Sequence, residues 1–95
     1  MPAVTRKGDA DLPHCSEMVR DGASSDVFVN GIGVSRQGDD NTSHLLPPAP
    51  CGGHAAPIST GSTTVFVNGK GCGRIGDGIT SCTSVAEGSS NVFAG

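Results

Sequence analysis

Three residues that can bind a metal occur at one position of a repeated segment. Each copy contains Arg-x-Gly-Asp, and the candidate ligand stands five residues after the Asp, as His14, His44 or Cys82. Imidazole and thiolate are ligands of structural zinc sites, which almost always hold the ion in a tetrahedron of four protein groups. The repeat therefore predicts a site for zinc or a similar metal, with one ligand from each copy.

A fourth ligand would have to come from outside the repeat. The Pro-rich segment 45–60 separates the second copy from the third and contains Cys51 and His54. The spacing does not choose between these two residues. Cys15 directly follows His14, and adjacent side chains of an extended chain point apart, so we do not expect both to bind one ion. A Cys15–Cys51 disulfide stays open, since the sequence gives no geometry for it.

The Arg, Gly and Asp of each copy predict a turn that orients the metal-binding arm. Gly permits a backbone conformation that other residues resist, and the Asp can cap such a turn through bonds to the backbone. The Arg would then pair with the Asp, although plain solvated surface is the alternative. The residues are Arg6, Gly8 and Asp9; Arg36, Gly38 and Asp39; and Arg74, Gly76 and Asp77.

A strand and a tight turn precede the second and third copies. Residues 26–39 align without a gap with residues 64–77, and both contain VFVNG. Asn-Gly favours the type I′ turn of a β-hairpin. The related segment 88–95 predicts a third strand, and no window has helical periodicity. We therefore predict an all-β fold with a pseudo-threefold arrangement of hairpins.

The repeat also predicts parts of the core. The three Phe residues share one repeat position, and we expect them to form a layer near the pseudo-threefold axis rather than to pack separately in each hairpin. They are Phe28, Phe66 and Phe93. Cys72 aligns with Val4 and Val34, which predicts a small, buried apolar residue.

The composition indicates a single domain, residues 1–95, with a thin core and no fused effector domain. The 95 residues include 15 Gly and no Trp or Tyr. Small domains of this kind usually need a metal, a disulfide or a partner. The net charge is −3 and the 6 Lys and Arg are scattered, so nucleic acid is not an expected partner. The start of the chain lacks the apolar core of a signal peptide, so we expect synthesis in the cytoplasm, where thiols favour metal ligation.

An enzyme is not expected. A catalytic zinc keeps an open coordination position near an acid or base, whereas four protein ligands are available here. Glu17 and Glu87 are the only Glu residues, and neither lies in a metal-enzyme motif. Two alternatives to a structural role remain: a free-standing zinc-binding or thiol redox module, and a small toxin or enzyme.

Taken as a set, these motifs resemble the PAAR-repeat proteins, which form the tips of type VI secretion spikes and contractile phage tails. The resemblance rests on PAVTRKGD at the start, the paired VFVNG segments with Arg-x-Gly-Asp, and Ser-Cys after the last Gly-Asp. It covers essentially the whole chain. The Pro-Ala-Ala-Arg signature is imperfect, because Val4-Thr5 stand between Pro2-Ala3 and Arg6.

The resemblance implies a small cone of β-structure with one structural zinc ion near its tip. The family holds this ion with three His and one Cys, which implies His14, His44, His54 and Cys82 here and selects His54 over Cys51. It also implies that the broad end binds a trimeric β-helical spike protein, one tip per trimer, and that the tip meets the target membrane outside the producing cell. Any effector would bind non-covalently, since the chain has no room for a toxin domain.

Overall fold

The structure is a computed structural model that describes residues 1–13, 17–42, 44–46, 52–80 and 82–95, with 44–46 and 52–54 described by their backbone. The strands of this part of the chain form two-stranded antiparallel sheets. The strands are β1 Phe28–Val29 with β2 Ile32–Gly33, β3 His44–Leu46 with β4 Gly52–His54, and β5 Phe66–Val67 with β6 Lys70–Gly71. The described residues contain no helix, and so none that could cross a bilayer. The all-β prediction is confirmed.

The two Asn-Gly dipeptides form the hairpin turns that the sequence predicts. Asn30 and Gly31 join β1 to β2 with φ of 55° and 75°, and Asn68 and Gly69 join β5 to β6 with φ of 54° and 78°. Positive φ at both central residues is the requirement of a type I′ turn. The turn chemistry of the sequence therefore sets these hairpins directly.

The third repeat of this strand is completed by residues from the other end of the chain. Phe93 bridges Ala3 in antiparallel orientation, as Phe28 pairs with Gly33 and Phe66 pairs with Gly71 in the hairpins. Ala3 thus takes the place that Gly33 and Gly71 have in the other two units. The arrangement repeats three times, although only two of the units are continuous hairpins.

A closed ring of backbone hydrogen bonds joins the three copies of the repeat. Thr5 donates its N–H to the Gly73 carbonyl at 3.0 Å, Gly73 to Ser35 at 3.0 Å, and Ser35 to Thr5 at 3.1 Å. The neighbouring bridges follow the same cyclic order: Val4 with Arg74, Arg6 with Val34, and Arg36 with Cys72. Because every copy supplies the same donor and acceptor, the backbone has pseudo-threefold symmetry at this level.

Buried apolar residues before and after the Arg-x-Gly-Asp segments form two separate clusters. The first contains Cys72, which is 2% exposed, together with its repeat equivalents and parts of the strands: Val4, Val34, Val67 and Ala94. The prediction of a small buried residue at position 72 is confirmed. The second cluster consists of Ala56, Ile58, Ile79 and Val85, with Cys82 packed against it.

The predicted Phe layer at the axis is wrong. Phe28, Phe66 and Phe93 are 56%, 60% and 49% exposed. Successive side chains of a strand point to opposite faces, and the residue after the Phe in the second and third units, Val67 or Ala94, is the one that enters the core. The interior position that the prediction assigned to Phe is thus already filled.

Candidate functional site

Each Arg-x-Gly-Asp segment closes on itself in the same way, and we call this feature the Arg–Asp turn. In the second copy, the Asp39 carboxylate accepts hydrogen bonds from the Arg36 backbone N–H at 2.8 Å, from Nε at 2.8 Å and from Nη2 at 3.1 Å. Gly38 has φ of 92°, and Asp39 is 7% exposed. The first and third copies have the same bonds. The predicted pairs and caps are confirmed, and the burial of the Asp excludes plain solvated surface.

The Asn residues of the hairpin turns accept hydrogen bonds from these same Arg side chains. Arg6 Nη1 donates to Asn30 Oδ1 at 3.0 Å, and Arg36 Nη1 donates to Asn68 Oδ1 at 2.9 Å. Each hairpin turn is therefore bonded to the Arg–Asp turn of the preceding copy. Sequence analysis assigned these Asn residues to turn geometry alone, and the bonded residues are 24 and 32 positions apart, so no fixed spacing in the repeat indicates the contact.

Backbone bonds between copies hold the three arms two residues before each predicted ligand. Leu12 N–H donates to the Ser84 carbonyl at 2.9 Å, and Thr42 N–H donates to Val19 at 2.8 Å. Thr80 N–H donates to Pro57 at 3.0 Å in the third arm. The arms that lead to positions 14, 44 and 82 are thus fixed at equivalent places around the pseudo-threefold axis, which is what a shared ion requires.

The Pro-rich segment returns to the second arm. In the antiparallel pair of β3 and β4, His44 lies opposite His54. Residues directly opposite in such a ladder have Cα atoms about 4.5–5.5 Å apart. This register favours His54 as the ligand from the segment, although the ligand set itself stays a prediction. His14, Cys15 and Cys51 lie outside the described residues.

Cys82 is the predicted ligand whose side chain the structure describes. It is partly buried, and Asn41 Nδ2 donates to its sulfur at 3.9 Å. Burial raises the pKa of the Cys82 thiol, while the Asn41 bond opposes the rise. No group of three or more His, Cys, Asp and Glu side chains that could hold a metal occurs among the side chains that the structure describes. The combination of one thiol with imidazole donors nevertheless fits zinc chemically.

A buried ion pair next to Cys82 was not identified from the sequence. Arg20 Nη2 lies 3.0 Å from Asp11 Oδ2, and both side chains are 0% exposed. Asn41 Nδ2 donates to the same Asp11 oxygen at 3.2 Å. The sequence does contain a signal for this polar cluster. Asp11 and Asn41 stand three residues before His14 and His44, whereas the third copy has Ile79 at this position.

The opposite side of the repeat carries exposed apolar side chains, which we call the hairpin face. Its members are Val27, Phe28, Ile32, Val65, Phe66 and Phe93, which are 37% to 60% exposed. The three Phe residues give each repeat unit one large exposed aromatic ring. Exposed apolar side chains in this number are typical of an interaction site.

Comparison with protein families gives one match. Residues 7–80, more than half of the 95 residues, match the model of the PAAR motif. The match includes both hairpins, the second and third Arg–Asp turns, and the first Arg–Asp turn apart from Arg6. A comparison with curated proteins finds no significant match. The family match agrees with the resemblance drawn from the repeated motifs, and the chain belongs to the PAAR-motif family.

Proposed function

We propose that this protein is the tip of a spike in a type VI secretion system or a contractile phage tail, and that it caps a trimeric β-helical spike protein. The observation that carries the proposal is the hairpin face, in which Phe28, Phe66 and Phe93 repeat around the backbone ring of Thr5, Ser35 and Gly73. Membership in the PAAR-motif family supports the same role.

The symmetry of the hairpin face suits a trimeric partner. A β-helical trimer ends in three equivalent strand ends, and one chain with three similar units can contact all three at once. Such a cap would also cover strand edges, which otherwise tend to pair with other chains. We therefore expect one copy of this chain for each spike trimer.

The end opposite the hairpin face would form the tip. The Cα atoms span 38 × 23 × 21 Å, one long axis and two similar short axes, an elongated shape with which a cone is compatible. We propose one structural zinc per chain, held by His14, His44, His54 and Cys82. When bound, zinc would supply a covalent link between the three arms and the Pro-rich segment, and so stabilise a small core.

This role requires no catalysis. The tip would meet the target membrane when the spike is delivered outside the cell, and an effector, if carried, would bind non-covalently. The rival redox module has little support from Cys72, because burial raises the pKa of its thiol and a buried protonated thiol is a poor nucleophile.

The experiment replaces the exposed aromatic rings of the hairpin face and measures binding to a trimeric β-helical spike. The triple variant Phe28→Ser, Phe66→Ser, Phe93→Ser should bind at least about 30-fold more weakly, since aromatic hot spots at interfaces contribute about 2 kcal/mol or more each. Its thermal stability should change little, because these side chains are 49% to 60% exposed.

Leu12→Ser is the matched control for this experiment. Leu12 is 50% exposed and lies on the first metal-binding arm, away from the hairpin face. This variant should bind the spike as the wild-type chain does. Binding by the triple Phe variant at wild-type affinity would contradict the proposed contact.

A further inference from the structure

A buried polar cluster beside Cys82 has no role in the function proposed above. It consists of Asp11, Arg20 and Asn41, which are 2%, 1% and 1% exposed. Arg20 pairs with Asp11 and also donates from Nη1 to the Asp39 carbonyl at 3.2 Å. The cluster thus connects the first copy of the repeat to the Arg–Asp turn of the second.

Stability alone does not account for this cluster. Arg20, Ile58 and Val85 are equivalent, because each donates its backbone N–H to the carbonyl of the Asp in one Arg–Asp turn. Ile58 and Val85 are both buried in the second apolar cluster. A buried ion pair is often no more stabilising than well-packed apolar residues of similar volume, because both charges lose their hydration. The fold therefore accommodates apolar residues at these positions, and the polar set calls for another explanation.

The contacts of Asn41 fix the orientation of its side-chain amide. Oδ1 accepts a hydrogen bond from the Ala56 N–H at 2.9 Å, which leaves Nδ2 to donate. Nδ2 lies 3.2 Å from Asp11 Oδ2 and 3.9 Å from Cys82 Sγ. The amide thus contacts the first arm, the return of the Pro-rich segment and the third arm at the same time.

We propose that Asn41 is a positioning residue for the metal centre, and that the Asp11–Arg20 pair holds its amide toward the sulfur of Cys82. The inference rests on the zinc site proposed above. A thiolate accepts hydrogen bonds more strongly than a thiol does, so the N–H···S contact would gain strength when Cys82 binds the ion. Because Asp11 and Arg20 neutralise each other, the cluster orients the amide without adding net charge beside the thiolate.

The test compares Asn41→Leu with Val34→Ala in the full chain. Leu has the same branched arrangement of heavy atoms as Asn, with methyl groups in place of the amide O and N, and it lacks a donor. The equivalent residue of the third copy, Ile79, is already apolar. Asn41→Leu should weaken zinc binding about 10- to 100-fold in a chelator competition, as loss of an outer hydrogen bond to a metal ligand usually does. In the cobalt-substituted protein it should also shift the sulfur-to-cobalt charge-transfer band.

Val34→Ala is the control for a general loss of stability. Val34 belongs to the first apolar cluster and is 1% exposed, so its truncation should lower the melting temperature. The cobalt band of this variant should stay in place. The free energy of zinc binding should change by no more than the free energy of unfolding does. If Asn41→Leu keeps the zinc affinity and the cobalt band of the wild type, Asn41 does not position the metal centre.

A second variant covers the case in which Asn41→Leu does not fold even with excess metal. Ser is too short to contact both Ala56 N–H and Cys82 sulfur, so Asn41→Ser should also shift the cobalt band and weaken zinc binding. Wild-type values for this variant would equally overturn the assignment. A wild-type chain that binds neither zinc nor cobalt would instead contradict the zinc proposal, and this inference with it.

Discussion

The hairpin side of the molecule repeats closely three times, whereas the side proposed to bind the metal does not. On the hairpin side, the backbone ring, the Arg–Asp turns and the exposed Phe residues recur in all three units. On the other side, the position of Asp11 and Asn41 is occupied in the third copy by an apolar residue, Ile79. The segment before the third copy is also much longer than the segment before the second.

This difference follows from what each side is proposed to bind. A trimeric partner offers three equal surfaces, so equal units satisfy it. A tetrahedral ion takes four ligands, which three equal arms cannot supply. A tetrahedral site would therefore need an addition outside the symmetry, and we expect the Pro-rich segment, in which His54 lies opposite His44, to provide it.

The largest effect is expected on the metal-binding side. Cys82→Ser should abolish zinc binding and unfold much of the domain, because structural zinc contributes on the order of 10 kcal/mol in small metal-dependent domains. Elemental analysis of the purified protein should give one zinc per wild-type chain and none per variant chain. Folded wild-type protein without bound metal would remove the zinc site from this account.

An intermediate loss of stability is expected when the Asp of an Arg–Asp turn is replaced, and the loss should be similar in the three copies. Asp39→Ala should lower the free energy of unfolding by about 2–4 kcal/mol, since it removes the acceptor of Arg36 Nε, Nη2 and backbone N–H. Asp9→Ala and Asp77→Ala should cost similar amounts in denaturant titrations, because their carboxylates make equivalent bonds.

The matched control for the Arg–Asp turns is Asp40→Ala. Asp40 is the exposed neighbour of Asp39, and its replacement should change stability by no more than about 0.5 kcal/mol. If Asp39→Ala costs no more than Asp40→Ala, the turn does not hold the repeat together.

The smallest effect is expected at Cys72. Cys72→Val should change the free energy of unfolding at neutral pH by less than about 1 kcal/mol, because Val occupies the equivalent positions 4 and 34 in the same apolar cluster. A larger loss would mean that the thiol of Cys72 does more than fill space in the first apolar cluster.

The same pair of proteins should differ at alkaline pH. Burial raises the pKa of the Cys72 thiol above its ordinary value of 9.0, so the folded state keeps a proton that the unfolded state releases. The wild type should therefore lose stability relative to Cys72→Val as the pH rises above 9.0, and not below it. Parallel stability profiles of the two proteins across this range would contradict the burial of the thiol.

Sequence analysis predicted the features that depend on local backbone chemistry. Positive φ at Asn30, Gly31 and Gly38 follows from residue type. The environment of Cys72 follows from its alignment with Val4 and Val34. In each case the evidence lies within one copy of the repeat, or in the comparison of equivalent positions.

The features that sequence analysis missed depend on which face of a strand turns inward and on contacts between copies. Alignment shows that Phe28, Phe66 and Phe93 are equivalent, but equivalence is satisfied by an exposed ring as well as by a buried one. The contacts of Asn41 with Asp11 and Cys82 join residues 30 and 41 positions apart. No local pattern encodes such distances.

The central claim is that one pseudo-threefold chain caps one trimer, and the native mass of the complex tests it most directly. The chain would be co-expressed with its cognate β-helical spike, and the mass of the complex measured at rising salt concentration. We predict one copy of this chain with three spike chains, stable at about 1 M salt, since a mainly apolar contact is little affected by charge screening. A complex of three copies with three spike chains, or one that dissociates at about 1 M salt, would contradict the account.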